Sequence, residues 1–133
     1  MRQRTLSLIR LSFFVALGAV CMVACDPKGT DYSPSQLIGK WVRVENGVQG
    51  TEYYRFDNGD PVLTGATWDT ADDVNEDEAQ PFEWTLEGNQ LTIVHIMEMG
   101  GRIPKAYTVT GLTASSLLFK DNYGQKFEYK RVN

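Results

Sequence analysis

Apolar and polar residues alternate over short stretches of this chain from Leu37 onward. Phe82, Trp84 and Leu86, for example, share one face of such a stretch, with polar residues at the positions between them. A period of two predicts β-strands that bury one face and expose the other. The pattern predicts eight strands, at residues 39–46, 51–57, 62–69, 81–87, 90–98, 103–110, 115–121 and 125–132.

Turn signals separate these strands about every ten residues. Asn46-Gly47, Asn58-Gly59, Gly88-Asn89 and Gly100-Gly101 all tolerate the positive φ that tight hairpins need. Consecutive hairpins make neighbouring strands antiparallel, and a closed barrel leaves no strand edge exposed. We therefore predict an all-β fold, an eight-stranded antiparallel up-and-down barrel. Ser35 is the predicted cap of a short helical turn before the first strand.

The beginning of the chain follows a different pattern. Arg2, Arg4 and Arg10 precede a mostly apolar run over residues 11–24. A basic stretch followed by a short apolar run is typical of a bacterial secretory signal. The run is too short to cross a bilayer, which takes about 20 apolar residues. We predict that residues 1–24 are a signal peptide, helical in its apolar part.

A cleavage and lipidation site follows this run. Met22-Val23-Ala24-Cys25 resembles a lipobox, in which the cysteine receives a diacylglycerol and small Ala24 leaves room for the peptidase. Cys21 follows the bulkier Val20 and is the poorer candidate. We predict cleavage before Cys25 and a lipid anchor on its thiol. The alternative is an ordinary secretory signal in which Cys25 stays unmodified.

Two further segments follow the signal. Residues 25–36 contain two prolines and many turn formers, which predicts a flexible tether after the lipidated cysteine. Residues 37–133 form the predicted barrel domain. Cleavage would leave 109 of the 133 residues, a common size for one domain. With 42% hydrophobic and 11% aromatic residues, the chain can build a core.

Charge and cysteine content exclude several functions. Cleavage removes three basic residues and no acidic residue, which changes the formal charge from −4 to −7. Nucleic acid is therefore not an expected partner, because phosphate binding needs a basic patch. Cys21 and Cys25 are the only cysteines. The domain after them has no thiol for a disulfide, a metal knuckle or a nucleophile.

The start of the first strand carries a family resemblance. Gly39-Lys40-Trp41, preceded by Leu37-Ile38, resembles the Gly-x-Trp motif of lipocalins. The resemblance implies that Gly39, Trp41 and Arg131 close one end of the barrel, with the arginine across the tryptophan ring. At 109 residues the domain is shorter than a usual lipocalin, and no C-terminal helix is predicted. The interior is therefore expected to be shallow or filled.

The pattern of the whole chain extends this resemblance. From the lipobox to the last strand, nearly all of residues 25–133 are similar to the small lipocalin-like lipoproteins of Gram-negative gut bacteria. The motifs that carry this resemblance are Tyr53-Tyr54-x-Phe56, Phe82-x-Trp84-x-Leu86, Leu91-x-Ile93, Tyr107-x-Val109-x-x-Leu112 and Leu117-x-Phe119-x-Asp121. This resemblance implies a lipid-anchored barrel in the cell envelope, at the outer membrane.

Candidate ligand-binding residues cluster around the single histidine. Alternation places His95 on the same face as Leu91, Ile93 and Met97. Facing a cavity, His95 could bind a ligand, whereas in the core it would be a hydrogen-bonded histidine. We predict a ligand site at the open end of the barrel. Its predicted members are His95, Trp68, Met97 and Tyr107.

One long acidic loop, residues 69–78, carries six carboxylates. Asp73-x-Asn75-x-Asp77 imitates the first half of a calcium loop, but Glu78 replaces the required glycine and Trp84 the bidentate glutamate. We predict a solvated, mobile loop, with millimolar calcium binding as the alternative. One histidine without cysteines predicts no zinc site.

Motifs for catalysis are lacking. The sequence has no Gly-x-Ser-x-Gly motif and no phosphate-binding glycine loop. We therefore expect a binding protein without enzymatic activity or cofactor, for a small apolar or amphipathic ligand. The alternative is a protein-interaction or inhibitor lipoprotein of the envelope with a filled barrel. An open aromatic cavity would favour the first hypothesis, and an exposed apolar patch beside a filled interior the second.

Overall fold

The computed structural model describes residues 30–132 as an all-β domain. Eight antiparallel strands form a closed barrel in sequence order, and the last strand pairs with the first. This confirms the predicted fold. The predicted signal peptide and Cys25 lie outside the described residues. The strands are β1 (Gly39–Glu45), β2 (Val48–Asp57), β3 (Leu63–Asp69), β4 (Gln80–Glu87), β5 (Gln90–Ile96), β6 (Arg102–Leu112), β7 (Ser116–Lys120) and β8 (Lys126–Val132).

The two ends of the barrel differ in how they are covered. Successive antiparallel strands run in opposite directions, so alternate loops lie at the same end. A short helix, α1 (Pro34–Leu37), and the loops after β2, β4 and β6 lie at one end, which we call the closed end. The loops after β1, β3, β5 and β7 lie at the other end, which we call the mouth.

Helix α1 is capped two residues earlier than the sequence predicted. Its cap is Ser33 rather than Ser35, and the Ser33 amide donates to Oε1 of Gln36 at 2.7 Å. Pro34 suits the first helical position because its φ is fixed there and its missing N–H needs no partner. The helix ends at Leu37, whose side chain is fully buried in the core.

The barrel domain also begins before the predicted boundary at Leu37. Tyr32 packs against the core, and its amide donates to the carbonyl of Gly88 at 2.9 Å. Residues 32–36 of the predicted tether therefore belong to the barrel domain. Proline and serine content indicated a linker, but these residues form a plug with fixed contacts instead.

The closed half of the interior is filled by side chains. Trp84 donates its indole N–H to the carbonyl of Thr64 at 2.8 Å and meets the ring of Phe56 edge-on at 5.2 Å. Gly65 makes room for Phe82, because a Cβ there would clash with that ring. The other fully buried large residues of the interior are Trp41, Leu37, Leu91, Ile93 and Leu117, together with Tyr129 towards the mouth.

The barrel wall has a gap beside β6. Residues of β6 pair with β5 from Arg102 to Thr108, whereas pairing with β7 begins only at Thr108. The edge of β6 from Arg102 to Tyr107 therefore has no strand partner on its β7 side. This free edge opens the wall next to the mouth.

Candidate functional site

The closed end is sealed by Arg131. Its guanidinium lies 4.3 Å from the ring centroid of Trp41. The same group donates to the carbonyls of Ala114 at 2.7 Å, Ile38 at 2.8 Å and Gln36 at 2.9 Å. One cation thus ties β8, β1, α1 and the β6–β7 loop together. This is the arrangement that the lipocalin resemblance implies.

Gly39 is required at this end for a steric reason. Its φ is +138°, which residues with a Cβ rarely adopt. A Cβ at this position would also clash with Nη1 of Arg131. Gly39, Trp41 and Arg131 therefore pack together and close this end of the barrel.

The mouth holds a cavity of about 490 Å³. It lies between the free edge of β6 and the β7–β8 loop, and it reaches across the barrel to β2. Aromatic residues and a few polar groups share its wall. The lining residues are Glu52, Tyr54, Pro104, Lys105, Ala106, Tyr107, Phe119, Asp121, Asn122, Tyr123, Gln125, Phe127 and Tyr129.

Five aromatic rings form a continuous floor under this cavity. The ring of Phe119 lies 4.6 Å from that of Tyr107, and 5.4 Å from those of Phe127 and Tyr129. Tyr54 meets Tyr129 edge-on at 5.5 Å. Tilted and edge-on contacts of this kind are favourable for aromatic pairs. A ligand in the cavity would therefore rest on a preformed aromatic surface.

A polar network borders the aromatic floor. Glu52 Oε1 accepts from the Tyr129 hydroxyl at 3.2 Å and from Arg43 Nη1 at 3.3 Å. The Arg43 guanidinium also lies over the ring of Phe127, 4.8 Å from its centroid. The network fixes the position of Tyr129 and Phe127 at the cavity.

The three tyrosines of the cavity keep their protons at neutral pH. Burial raises the pKa of Tyr54, Tyr107 and Tyr129, and the negative charge of Glu52 raises all three further. Asp121 adds to the effect at Tyr107. A phenol held neutral can donate a hydrogen bond as well as accept one. The floor therefore presents hydroxyl groups suited to the polar end of an amphipathic ligand.

Of the predicted ligand residues, Tyr107 lines this cavity and His95 lies behind it. His95 faces the interior, 7% exposed, and its ring contacts Phe82 at 6.0 Å. Neither ring nitrogen has a hydrogen-bond partner among residues 30–132. Burial, followed by the charge of Lys105, lowers the pKa of His95. The imidazole is thus neutral at pH 7 and does not touch the cavity.

Met97 lies past the end of β5, in a separate groove of about 560 Å³ with Met99. Its sulfur accepts from Nε2 of Gln80 at 3.6 Å. The sequence placed Met97 on the face of His95 by extending the strand to residue 98. The strand ends at Ile96 instead, and Met97 belongs to the hairpin turn, where its amide donates to the carbonyl of Gly101 at 2.8 Å.

Trp68 is on the outer face of the barrel. It pairs with Tyr53 across β2 and β3, and the two rings stack at 5.2 Å. Lys40 Nζ lies 5.7 Å from the ring centroid of Trp68. Since the neighbouring residue Tyr54 points inward, Tyr53 and its partner Trp68 point outward. The interpretation that Trp68 shares one ligand site with His95 and Tyr107 is therefore corrected.

The acidic loop has more fixed structure than the predicted mobile loop. It contains two 3₁₀ turns, Thr70–Asp72 and Glu76–Glu78. Glu76 binds Lys40 at 2.7 Å and Arg55 at 2.8 Å, and these two cations lower its pKa. The loop is thus fastened to the outside of β1 and β2.

Calcium binding by this loop gains no support from the structure. Within the part of the chain that is described, no three or more carboxylate, histidine or cysteine side chains are grouped as metal ligands. Among the same residues, no helix is long and apolar enough to cross a membrane.

Several residues of the cavity were not predicted as ligand-binding. Tyr54, Phe119, Phe127 and Tyr129 alternate as core residues do, and the sequence assigned them to the core. Nothing in the sequence pattern indicated that Glu52 lines a cavity. Alternation shows which side chains face inward, but the height of each residue in the barrel depends on the register between strands.

Comparisons of the chain with models of protein families, with curated proteins and with solved structures found no match.

Proposed function

We propose that this protein is a lipid-anchored, lipocalin-like binding protein of the cell envelope that takes a small apolar or amphipathic ligand at the barrel mouth. The cavity of about 490 Å³ carries this proposal. Small-molecule sites commonly measure about 300 to 1,000 Å³ and combine apolar walls with a few polar groups. The aromatic floor and the bordering hydroxyls and charges meet both conditions.

The filled closed half limits how deeply a ligand can enter. Trp41, Phe56 and Trp84 belong to the core of the barrel, are almost wholly buried and do not line the cavity. A ligand therefore lies near the mouth and not along the whole barrel. The gap beside β6 gives it a lateral route in. A short, compact ligand suits this site better than a long acyl chain.

The leader sequence supports the anchored location. A diacylated thiol at Cys25 would hold the domain at a membrane, since each buried CH₂ contributes about 0.8 kcal/mol and two chains make anchoring stable. The first described residues lie at the closed end of the barrel. We propose the outer membrane as the site of anchoring and no enzymatic activity.

Native mass spectrometry tests the binding function. The protein purified from its own envelope is expected to retain one small molecule, and the neutral probe N-phenylnaphthylamine is expected to bind with one-to-one stoichiometry. Gln125→Trp should abolish both by filling the mouth, since Gln125 lines the cavity, is exposed and lies two residues before Phe127, which packs against the core. Val62→Trp, at an exposed position of the closed end, is the matched control. Absence of both a retained molecule and probe binding would reject the proposal.

Labelling with radioactive palmitate tests the anchor. Label is expected in the wild type and in Cys21→Ala, and it should be absent from Cys25→Ala. Equal labelling of the wild type and Cys25→Ala would overturn the assignment of the lipidated residue.

A second candidate function is protein interaction at the mouth. Met99 and Tyr123 are 96% and 95% exposed on two loops at this end. Exposed apolar residues near a cavity suit a partner surface. In the same mass-spectrometry experiment, a retained envelope protein that is lost in the double variant Met99→Ser, Tyr123→Ser would favour this function. Retention of the partner by that variant would exclude it.

A further inference from the structure

We propose that the mouth cavity selects organic cations, namely small molecules that carry an ammonium group on an apolar or aromatic body. This inference rests on the binding function proposed above and names the ligand class. Three features of the cavity lead to it: two carboxylates in the wall, an aromatic floor, and a free strand edge rich in carbonyl groups.

The first feature is a carboxylate without a cationic partner. Asp121 Oδ1 accepts from the amides of Tyr123 and Gln125, both at 2.9 Å, which fixes the carboxylate at the cavity wall. Within residues 30–132, no lysine, arginine or histidine forms an ion pair with Asp121. Glu52 is the second carboxylate in the wall, and Arg43 balances its charge. One negative charge of the wall is therefore available to a ligand.

The field of these carboxylates reaches the floor. After burial, the largest causes that raise the pKa of Tyr107 are the charges of Glu52 and Asp121. A negative potential at the tyrosine hydroxyl is also a favourable potential for a cation placed beside it.

The second feature is the aromatic floor itself. The face of an aromatic ring carries negative charge density and attracts cations, and clusters of such rings recognise ammonium groups. The floor already holds one cation, because the Arg43 guanidinium lies 4.8 Å from the centroid of Phe127. The rings of Tyr107 and Phe119 remain at the cavity without such a cation among the described contacts.

The third feature is the free edge of β6. The Val109 amide donates to Asn89 beside β5, and backbone groups alternate sides along a strand. The carbonyls of Arg102, Pro104 and Ala106 therefore point towards the gap. Pro104 has no N–H, so this edge presents more acceptors than donors. Carbonyl oxygens at the entrance favour a positively charged ligand over an anion.

Lys105 is the one group of the cavity wall that opposes a cation. Its ammonium is exposed, and no carboxylate pairs with it among the described residues. A lysine side chain is long and flexible, and it can turn its charge into water when a cation binds. Removal of the Lys105 charge should therefore strengthen cation binding, whereas removal of the Asp121 charge should weaken it.

Three probes with the same aromatic body test the charge preference. Benzyltrimethylammonium, benzyl alcohol and phenylacetate share a benzyl body and differ in the charge of the polar group. Isothermal titration calorimetry with the full-length protein in detergent measures the dissociation constant of each. We expect the cation to bind most tightly and the anion most weakly. Tightest binding of phenylacetate, or equal binding of all three, would overturn the inference.

Charge variants assign the preference to named groups. Asp121→Asn keeps an oxygen for the two turn amides but removes the charge, and it should weaken cation binding about fivefold while leaving benzyl alcohol unaffected. Lys105→Met should strengthen cation binding by a similar factor. Glu87→Gln, an equal charge loss at the closed end, should change nothing. An unchanged cation affinity in Asp121→Asn would refute the role of this carboxylate.

The two proposals fail in different ways. If benzyl alcohol or phenylacetate binds and the cation does not, the ligand class is wrong and the binding function stands. If none of the three probes binds and no molecule is retained from the envelope, the binding function itself is rejected.

Discussion

At the scale of single residues, two polar side chains at opposite ends of the barrel have opposite surroundings. Arg131 donates to three carbonyls at the closed end and stacks on Trp41. His95 is buried near the mouth, whereas Arg131 is half-buried, and neither nitrogen of His95 has a partner among residues 30–132. A satisfied buried group stabilises the fold, whereas an unsatisfied one costs free energy. The two residues should therefore respond differently to substitution.

Arg131→Lys tests the planar geometry of the guanidinium. Lysine keeps the charge, but an ammonium cannot reach three carbonyls in different directions and also stack on the Trp41 ring. We expect the free energy of unfolding to fall by about 2 kcal/mol, measured by urea denaturation. Arg102→Lys, on an exposed stretch of β6, should show no measurable change. Equal effects of the two substitutions would contradict the sealing role of Arg131.

His95→Leu tests the buried imidazole. We expect the free energy of unfolding at pH 8 to rise by about 1 kcal/mol, because an unsatisfied polar ring is replaced by an apolar side chain. Burial lowers the pKa of His95 in the folded protein below the ordinary value of 6.5. As the pH falls, the unfolded chain therefore takes up this proton at a higher pH than the folded protein does. Wild-type stability should thus fall as the pH drops below 6.5, and this part of the fall should be lost in the variant.

Urea denaturation at pH 8, 6.5 and 5.5 separates the two effects on His95. A lower stability of His95→Leu at pH 8 would show that the ring makes favourable hydrogen bonds in solution. An identical pH dependence of both proteins would show that His95 does not titrate in this window.

At the scale of elements, a carboxylate of the acidic loop forms ion pairs with two strands of the barrel. Six carboxylates in ten residues predict mutual repulsion and solvation. One of them, Glu76, instead bridges Lys40 on β1 and Arg55 on β2. The bridge holds a 3₁₀ turn beside Trp68, which is buried on the outer face of the barrel. The loop thus covers an apolar surface that the barrel would otherwise expose.

Glu76→Gln tests this fastening. The pair is partly exposed, so we expect a loss below about 1 kcal/mol in the free energy of unfolding at pH 7. Because the folded pKa of Glu76 is lowered, its contribution is present above the ordinary value of 4.5 and is lost as the pH falls below it. The difference from wild type should therefore shrink at pH 3. High salt should reduce it as well.

Asp77→Asn is the matched control for Glu76→Gln. Asp77 is the next residue, is exposed and forms no ion pair among the described residues. Its substitution should leave stability unchanged or raise it slightly, because one charge is removed from a crowded loop. A loss equal to that of Glu76→Gln would mean that the loop responds to net charge and not to the bridge.

At the scale of the whole molecule, the segment before β1 is part of the barrel. Asp31–Asn133 form one compact unit. The carbonyl of Leu37 accepts from the Trp41 indole at 2.9 Å, and Tyr32 is hydrogen-bonded to Gly88. The closed end is therefore plugged by chain that precedes the first strand. Barrel closure alone would leave Trp41 without this partner.

Two truncations test this plug. A fragment that begins at Asp31 should fold with a β-type circular dichroism spectrum and unfold cooperatively. A fragment that begins at Ile38 loses buried Leu37 and the acceptor of Trp41, which should cost about 4 kcal/mol. Equal urea midpoints for the two fragments would show that the plug contributes nothing to stability.

The sequence by itself determined the strands and their closure. Period-two alternation and turn residues are local properties, since a side chain on a strand faces one side or the other according to its position. The same pattern placed His95 and Tyr107 inside the barrel. The resemblance at Gly39 and Trp41 led to Arg131, ninety residues further along the chain.

Only the tertiary structure decided which inward residues form a cavity. Trp68 points outward because β2 and β3 pair in a register that sets it opposite Tyr53. Met97 is excluded because β5 ends one residue before it. Glu52 and Asp121 face the same space from strands far apart in sequence. Register and strand length set the height of each side chain, and these depend on contacts between strands that no local pattern records.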